Sequence, residues 1–188
     1  MSNELRIHAV TNADLNPFSE LCSETFVDTY EGKGVHRPPE MAREYAASTF
    51  SPESLKKELA DPSVQTYVAS LNGALVGYFK LINEAPPEFV QPKDLSHLER
   101  FYVLKKYHRK GIGKELLQFA ERVLINEGKK GVWLGVWDEN EQAISFYLSQ
   151  GFQKVGSKKW EFSYADTHYV DTDVVMVKCF HRSPKNLV

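Results

Sequence analysis

Residues 96–137 run strand, glycine-bearing turn, helix, strand, and this succession constrains the fold more than any other feature of the chain. Residues 96–104 are rich in apolar and aromatic side chains and read as a strand. Residues 110–127 carry Leu116, Leu117, Ala120, Val123 and Leu124 on one helical face, and Gly128 supplies the stop. Residues 131–137 read as a second strand. Two strands joined by a crossover helix run parallel. The chain therefore needs a sheet with at least one parallel pair, covered by helices.

The flanking segments fill in a mixed architecture. Residues 5–10 read as a strand. Thr11, Asn12 and Asp14 offer capping oxygens to a helix reaching about Tyr30, with Leu15, Phe18, Leu21, Cys22, Thr25 and Phe26 at helical spacing. Glu31-Gly32-Lys33-Gly34 ends it. Pro38-Pro39 opens a second helix through Tyr45, and Ser51 caps a third, with Pro52 at its first position and Leu55 and Leu59 inside. Residues 65–70 and 74–82 flank Leu71-Asn72-Gly73, a hairpin turn. Pro86, Pro87 and Pro92 make residues 84–93 a loop. A helix follows over 140–150, strand resumes at Gly151-Phe152, a loop spans 164–169, and 170–180 form the last strand. The fold class is α/β (α+β) in a single domain over 1–188. Residues 1–62 form an N-terminal part, 63–180 the core and 181–188 a tail.

Bulk properties exclude some functions. A chain of 188 residues with 42% hydrophobic and 26% charged composition can bury one sizeable core. A formal net charge of -2 provides no dominant basic face, which excludes nucleic-acid binding as the main activity. No apolar run approaches the roughly 18 residues of a membrane span, and the start lacks a secretory pattern. Cys22 and Cys179 stand far apart and read as reduced thiols of a cytoplasmic protein. Neither the cysteines nor His8, His36, His168 and His181 have metal-ligand spacing, so no metal is expected.

The turn Lys105-Lys106-Tyr107-His108-Arg109-Lys110-Gly111-Ile112-Gly113-Lys114 carries the chemistry. A glycine turn opening a helix gathers free backbone N–H groups and the positive helix end at one point, which makes an anion site. Glycines let a phosphate approach without a Cβ in the way. The dinucleotide fingerprint would require glycine at 116, where Leu116 stands. The nucleoside-triphosphate loop would require Ser or Thr after Gly113-Lys114, where Glu115 stands, and glycine where His108 stands. Both nucleotide motifs fail on named residues.

His108-Arg109-Lys110-Gly111-Ile112-Gly113 resembles the Q/R-x-x-G-x-G/A motif of the GNAT superfamily of N-acetyltransferases, with His108 in place of Gln or Arg and Arg109 beside it as a substitute charge. Asn140-Glu141-Gln142-Ala143-Ile144-Ser145-Phe146-Tyr147, followed by Gly151-Phe152, resembles a second segment of that family at the expected spacing. The resemblance implies the GNAT fold: a mostly antiparallel central sheet with one splayed parallel strand pair, flanked by helices. It implies acetyl-CoA as cofactor, with coenzyme A as product, held by residues 63–180, with the acceptor side formed by 1–62. Many relatives dimerise, so a homodimer is implied as well.

The same resemblance assigns roles. The pantetheine arm pairs with Phe101-Tyr102-Val103, opposite Leu134-Gly135-Val136, and the Val103 amide faces the acetyl carbonyl. The pyrophosphate takes amides from Arg109, Lys110, Gly111, Ile112, Gly113 and Lys114. Tyr147 occupies the position of the general acid for the thiolate, with packing against Phe146 as the plainer reading. Asn140, seven residues earlier, contacts the pantetheine arm, caps its helix, or does both. Glu99 is the candidate base. The alternatives are a structural carboxylate paired with Arg100 or a lysine, and His97 as base instead. Strand alternation sets Glu99, Phe101 and Val103 against Leu98 and Arg100.

Several blocks are similar to bacterial PaiA-type spermidine/spermine acetyltransferases: 98–103, 133–140, 171–176 and 25–30. The acceptor implied is a polyamine, a small-molecule polycation suited by carboxylates and aromatic faces. Asp28, Tyr30 and Glu31 at the end of the first helix, and Glu84 and Glu88 in the proline-rich loop, supply such groups; each also reads as solvated surface. The rival readings are acetylation of a protein N-terminus, a lysine or another small amine, and a non-catalytic acyl-CoA-binding module.

Overall fold

A computed structural model describes residues 4–30 and 38–180. The strands are β1 (Leu5–Ala9), β2 (Val64–Leu71), β3 (Ala74–Ile82), β4 (Ser96–Val103), β5 (Gly131–Trp137), β6 (Gln153–Tyr164) and β7 (Thr167–Cys179). The helices are α1 (Leu15–Tyr30), α2 (Pro39–Thr49), α3 (Pro52–Leu59), α4 (Ile112–Asn126) and α5 (Glu141–Ser149). The strands hydrogen-bond in the order β1-β2-β3-β4-β5-β7-β6, mostly antiparallel, with β4 and β5 as the parallel pair. This is the α/β class expected from the crossover helix. Among the described residues no helix is long and apolar enough to cross a membrane.

The chain forms two compact units, Met1–Ile82 with Glu99–Phe119, and Asn83–Leu98 with Ala120–Val188. In the first unit the β2–β3 hairpin turns through Asn72 (φ 53°) and Gly73 (φ 84°), the left-handed pair that the Asn-Gly dipeptide favours. Phe18, Leu21, Cys22, Ala46, Phe50, Leu55, Val68, Tyr78 and Leu104 make its core. Phe18 packs edge-on to Tyr78, with ring centroids 5.2 Å apart. Ser51 caps α3 as expected, its hydroxyl accepting from the Ser54 amide at 3.2 Å. Gly77 is required by close approach. A Cβ there would lie 2.8 Å from the Tyr102 carbonyl oxygen and about as near Leu116 and Val103. We expect Gly77→Val to destabilise this unit by about 1–3 kcal/mol, read as a lower urea midpoint at unchanged slope.

In the second unit β5 pairs in parallel with the start of β4, Ser96↔Val132 and His97↔Trp133, and antiparallel with β7 along its whole length. Val90, Leu95, Trp133, Val175 and Val177 form its core. Here the structure corrects the expected 164–169 loop. Strand β6 runs to Tyr164 and β7 starts at Thr167, so the connection is a tight turn with Ala165 at φ 49°. Phe162 stacks on Tyr169 across the ladder, at 5.3 Å and 14°, and this cross-strand pairing extends both strands.

Candidate active site

The anion loop lies in the first unit. Arg109 (φ 58°) and Gly111 (φ 84°) both take left-handed backbone, which turns the chain sharply ahead of α4. The Gly111 carbonyl accepts from the Glu115 amide at 3.1 Å, so Gly111 is the capping position and α4 starts at Ile112, two residues later than the apolar pattern suggested. A left-handed residue cannot continue a helix. The amides of Ile112, Gly113 and Lys114 belong to the first turn and have no intrahelical acceptor. A Cβ placed on Gly111 would meet nothing within 4 Å, so open space adjoins the turn. Free amides, a helix N-terminus and open space suit a pyrophosphate.

His108 departs from the motif, and the structure gives it a local task. Its Nε2 donates to the Val103 carbonyl at 2.8 Å, tying the loop to the end of β4. Lys110 Nζ sits 5.0 Å from the Tyr107 ring centroid, so its charge is directed along the loop. We expect Gly111→Val to raise the Kd for coenzyme A roughly tenfold by calorimetry, since a side chain in left-handed backbone costs about 1–2 kcal/mol.

On β4, Val103 approaches Gly77, as Leu116 does from α4, while Tyr102 stacks on Tyr78 at 5.6 Å and Arg100 lies over the Phe50 ring at 5.1 Å. The expected alternation holds for these residues. The end of the Glu99 side chain departs from it: Oε2 lies 2.8 Å from Lys80 Nζ and 3.5 Å from Arg100 Nε. Alternation fixes the direction of Cβ, and two cations decide where the carboxylate ends. Burial opposes the Arg100 charge, but Glu99 and Glu58 outweigh it and hold the guanidinium above its ordinary value. Burial pushes the Cys22 thiol up to about 12, so it is a neutral core group.

Of the acceptor-side candidates in this unit, Tyr30 hydrogen-bonds Tyr102, whose hydroxyl is raised above its ordinary range by burial and then by Tyr30 and Tyr78. Tyr30 also packs on Phe26 at 4.6 Å. Asp28 lines a shallow groove between α1 and α2 with Glu24, Val27 and Arg43. Glu31 lies outside the described residues.

The second unit holds the other candidates. Asn140 caps α5, its Oδ1 accepting from the Ala143 amide at 3.2 Å. Tyr147 is 7% exposed and packs on Phe146 and Phe152 at 5.4 and 5.3 Å. Glu84 Oε2 lies 2.6 Å from His97 Nδ1, and the Glu84 carbonyl accepts from the Trp133 indole at 3.2 Å. His97 stacks on Trp133, with centroids 3.7 Å apart. Sequence reasoning named Glu84 and His97 separately and missed their pairing. It also missed Lys80 and Glu58. The only sequence signal for Lys80 was a lone charge in the apolar run Ala74–Ile82.

The model of the acetyltransferase (GNAT) family matches residues 22–152. The chain belongs to the GNAT family of acetyltransferases. It is accordingly an acetyl-CoA-dependent N-acetyltransferase. It is 35% identical to an uncharacterized N-acetyltransferase of Lactobacillus delbrueckii subsp. lactis, over 80% of this chain and 85% of that one. It is 28% identical to the N-alpha-acetyltransferase RimI of Mycobacterium tuberculosis, over 89% and 91% of the two chains. With the spermidine N(1)-acetyltransferase of Thermoplasma acidophilum it shares 26% identity, over 79% and 88%. The crystal structure of PaiA N-acetyltransferase from Thermoplasma acidophilum, in complex with coenzyme A, superposes with a TM-score of 0.73 at 24% identity, covering 94% of this chain and 99% of that one. That likeness confirms the GNAT fold expected from the two sequence motifs.

Proposed function

We propose that this acetyltransferase acts on a polyamine of the spermidine or spermine type, with Glu99 as base and Tyr147 as acid. The observation that carries the assignment of Glu99 is its carboxylate, held beside Lys80 and Arg100 with both pairs made through Oε2. Two cations on one oxygen fix the side chain, and the other oxygen, Oε1, is the one we assign to the ammonium proton. Similarity to PaiA-type enzymes in residues 25–30, 98–103, 133–140 and 171–176, together with the Thermoplasma spermidine acetyltransferase among the relatives, supports the acceptor class. Asp28, Tyr30 and Glu84 are the groups we assign to the polycation. The RimI relative favours a second reading, a peptide α-amine as acceptor.

Acetyl-CoA supplies an activated acyl group and a thiolate leaving group. The amides from Arg109 to Lys114 hold its pyrophosphate, and His108 fixes that loop to β4. Phe101, Tyr102 and Val103 orient the pantetheine arm from β4, and Asn140 does so from the cap of α5. Glu99 takes one proton from the substrate ammonium and exposes the nitrogen lone pair. The Tyr147 hydroxyl gives a proton to the departing sulfur and recovers one from the acylated nitrogen, so one proton is released per turnover.

Thiol release from acetyl-CoA with a panel of amines tests this. Turnover on spermidine or spermine above that on peptides supports the polyamine reading. Turnover confined to peptide N-termini replaces it with the second reading, and coenzyme A binding with no turnover on any amine sinks both.

A further inference from the structure

We propose that Lys80 is a positioning residue for catalysis, fixing the Glu99 carboxylate through Oε2 so that Oε1 is turned to the acceptor, and that Glu58 tunes this hold by competing for Lys80. The proposal rests on the reading of Glu99 as base.

Lys80 lies within the apolar strand β3 and is 6% exposed. An ammonium taken out of water at such a position costs several kcal/mol unless carboxylates surround it. Its Nζ is shared between Glu58 Oε2 at 2.7 Å and Glu99 Oε2 at 2.8 Å. Glu58 turns its other oxygen, Oε1, to Arg100 NH1 at 2.9 Å. Arg100 closes the ring through Nε, 3.5 Å from Glu99 Oε2. Two cations and two carboxylates from α3, β3 and β4 thus form one balanced cluster.

The four members differ in what they can do. Arg100 is anchored twice over, by Glu58 and by the Phe50 ring. Glu58 is engaged through both oxygens. Glu99 uses Oε2 for both of its pairs, so Oε1 is the oxygen assigned to the substrate proton. Its side chain keeps 30% of its surface exposed, against 7% for that of Lys80. Lys80 therefore faces inward and Glu99 reaches outward. The other groups near the cluster are Asp61, which Lys80 influences, and Cys22 and Tyr78 beside Arg100, the last two neutral because burial raises them.

Opposite shifts are the signature of this arrangement. In Lys80→Met, Glu99 loses its nearest cation. The acid limb of the kcat–pH profile should move up, since removing an opposite charge 2.8 Å away makes a proton easier to keep on the carboxylate. In Glu58→Gln, Lys80 is left to Glu99 alone, and the same limb should move down. Lys80→Arg should restore the wild-type limb, and KM for acetyl-CoA should stay unchanged in all three. A purely structural role would lower the melting temperature and leave the limb in place. A limb that is fixed in both variants, or that moves the same way in both, overturns the proposal. If Lys80→Met does not fold, the direction of the Glu58→Gln shift decides alone. Glu99→Gln separates the two layers: full activity in that variant refutes Glu99 as base, whereas loss of activity there with a fixed limb in Lys80→Met and Glu58→Gln refutes only the role of Lys80.

Discussion

Replacing Tyr147 with phenylalanine is expected to lower kcat by about 10²-fold or more, because a positioned general acid contributes roughly 10²–10⁴-fold. Coenzyme A affinity should not change. Tyr147 is 7% exposed and packs through its ring against Phe146 and Phe152. Phenylalanine preserves that packing and removes only the hydroxyl, so the fold and the cap at Asn140 remain. Single-turnover thiol release, measured beside calorimetric titration of coenzyme A, separates the two effects. An unchanged rate would remove Tyr147 from the acid role and leave it a core residue of α5. A parallel loss of affinity would make it a binding residue instead.

Glu99→Gln has the second large effect, and it depends on pH in a definite sense. An alkyl ammonium of pKa near 10 is neutral in only about one part in 10³ at pH 7. Without a base the enzyme must wait for that fraction, so kcat/KM for the amine should fall by roughly 10²–10³-fold near neutrality. As pH rises toward the amine pKa, the solution supplies the neutral form and the deficit should shrink. KM for acetyl-CoA should hold. A deficit of equal size at every pH would instead indicate a collapsed cluster, because the substitution also leaves Lys80 and Arg100 with Glu58 as the remaining carboxylate of the four. Melting temperatures of the variant identify that case.

Local signals in the sequence carried the fold well. The crossover between β4 and β5, the Asn72-Gly73 turn and the Ser51-Pro52 helix start each depend on residues within a few positions of one another. The left-handed backbone at Gly111 was legible as a glycine in a turn, though the two-residue delay in the start of α4 was not. Asn140 was legible as a cap for the same local reason. The Glu58, Lys80, Glu99 and Arg100 cluster was not legible. Glu58 lies 22 residues from Lys80 and 42 from Arg100, and spacing of that size carries no information about which charges meet. His108 looked like a defect in the motif until its bond to the Val103 carbonyl showed what it holds. The β6–β7 connection was misread because residues 164–169 carry a polar run, Ala165-Asp166-Thr167-His168, that resembles a loop until Phe162 and Tyr169 are seen stacked across the ladder.

The proposed seat of the cofactor pyrophosphate is the set of backbone amides from Arg109 to Lys114. Titrating the isotopically labelled protein with coenzyme A, and following amide proton–nitrogen correlations, tests this directly. The amides of Arg109, Lys110, Gly111, Ile112, Gly113 and Lys114 should show the largest shifts, and coenzyme A lacking the pyrophosphate-linked nucleotide should leave them in place. Saturable binding of coenzyme A with those six amides unmoved would contradict it.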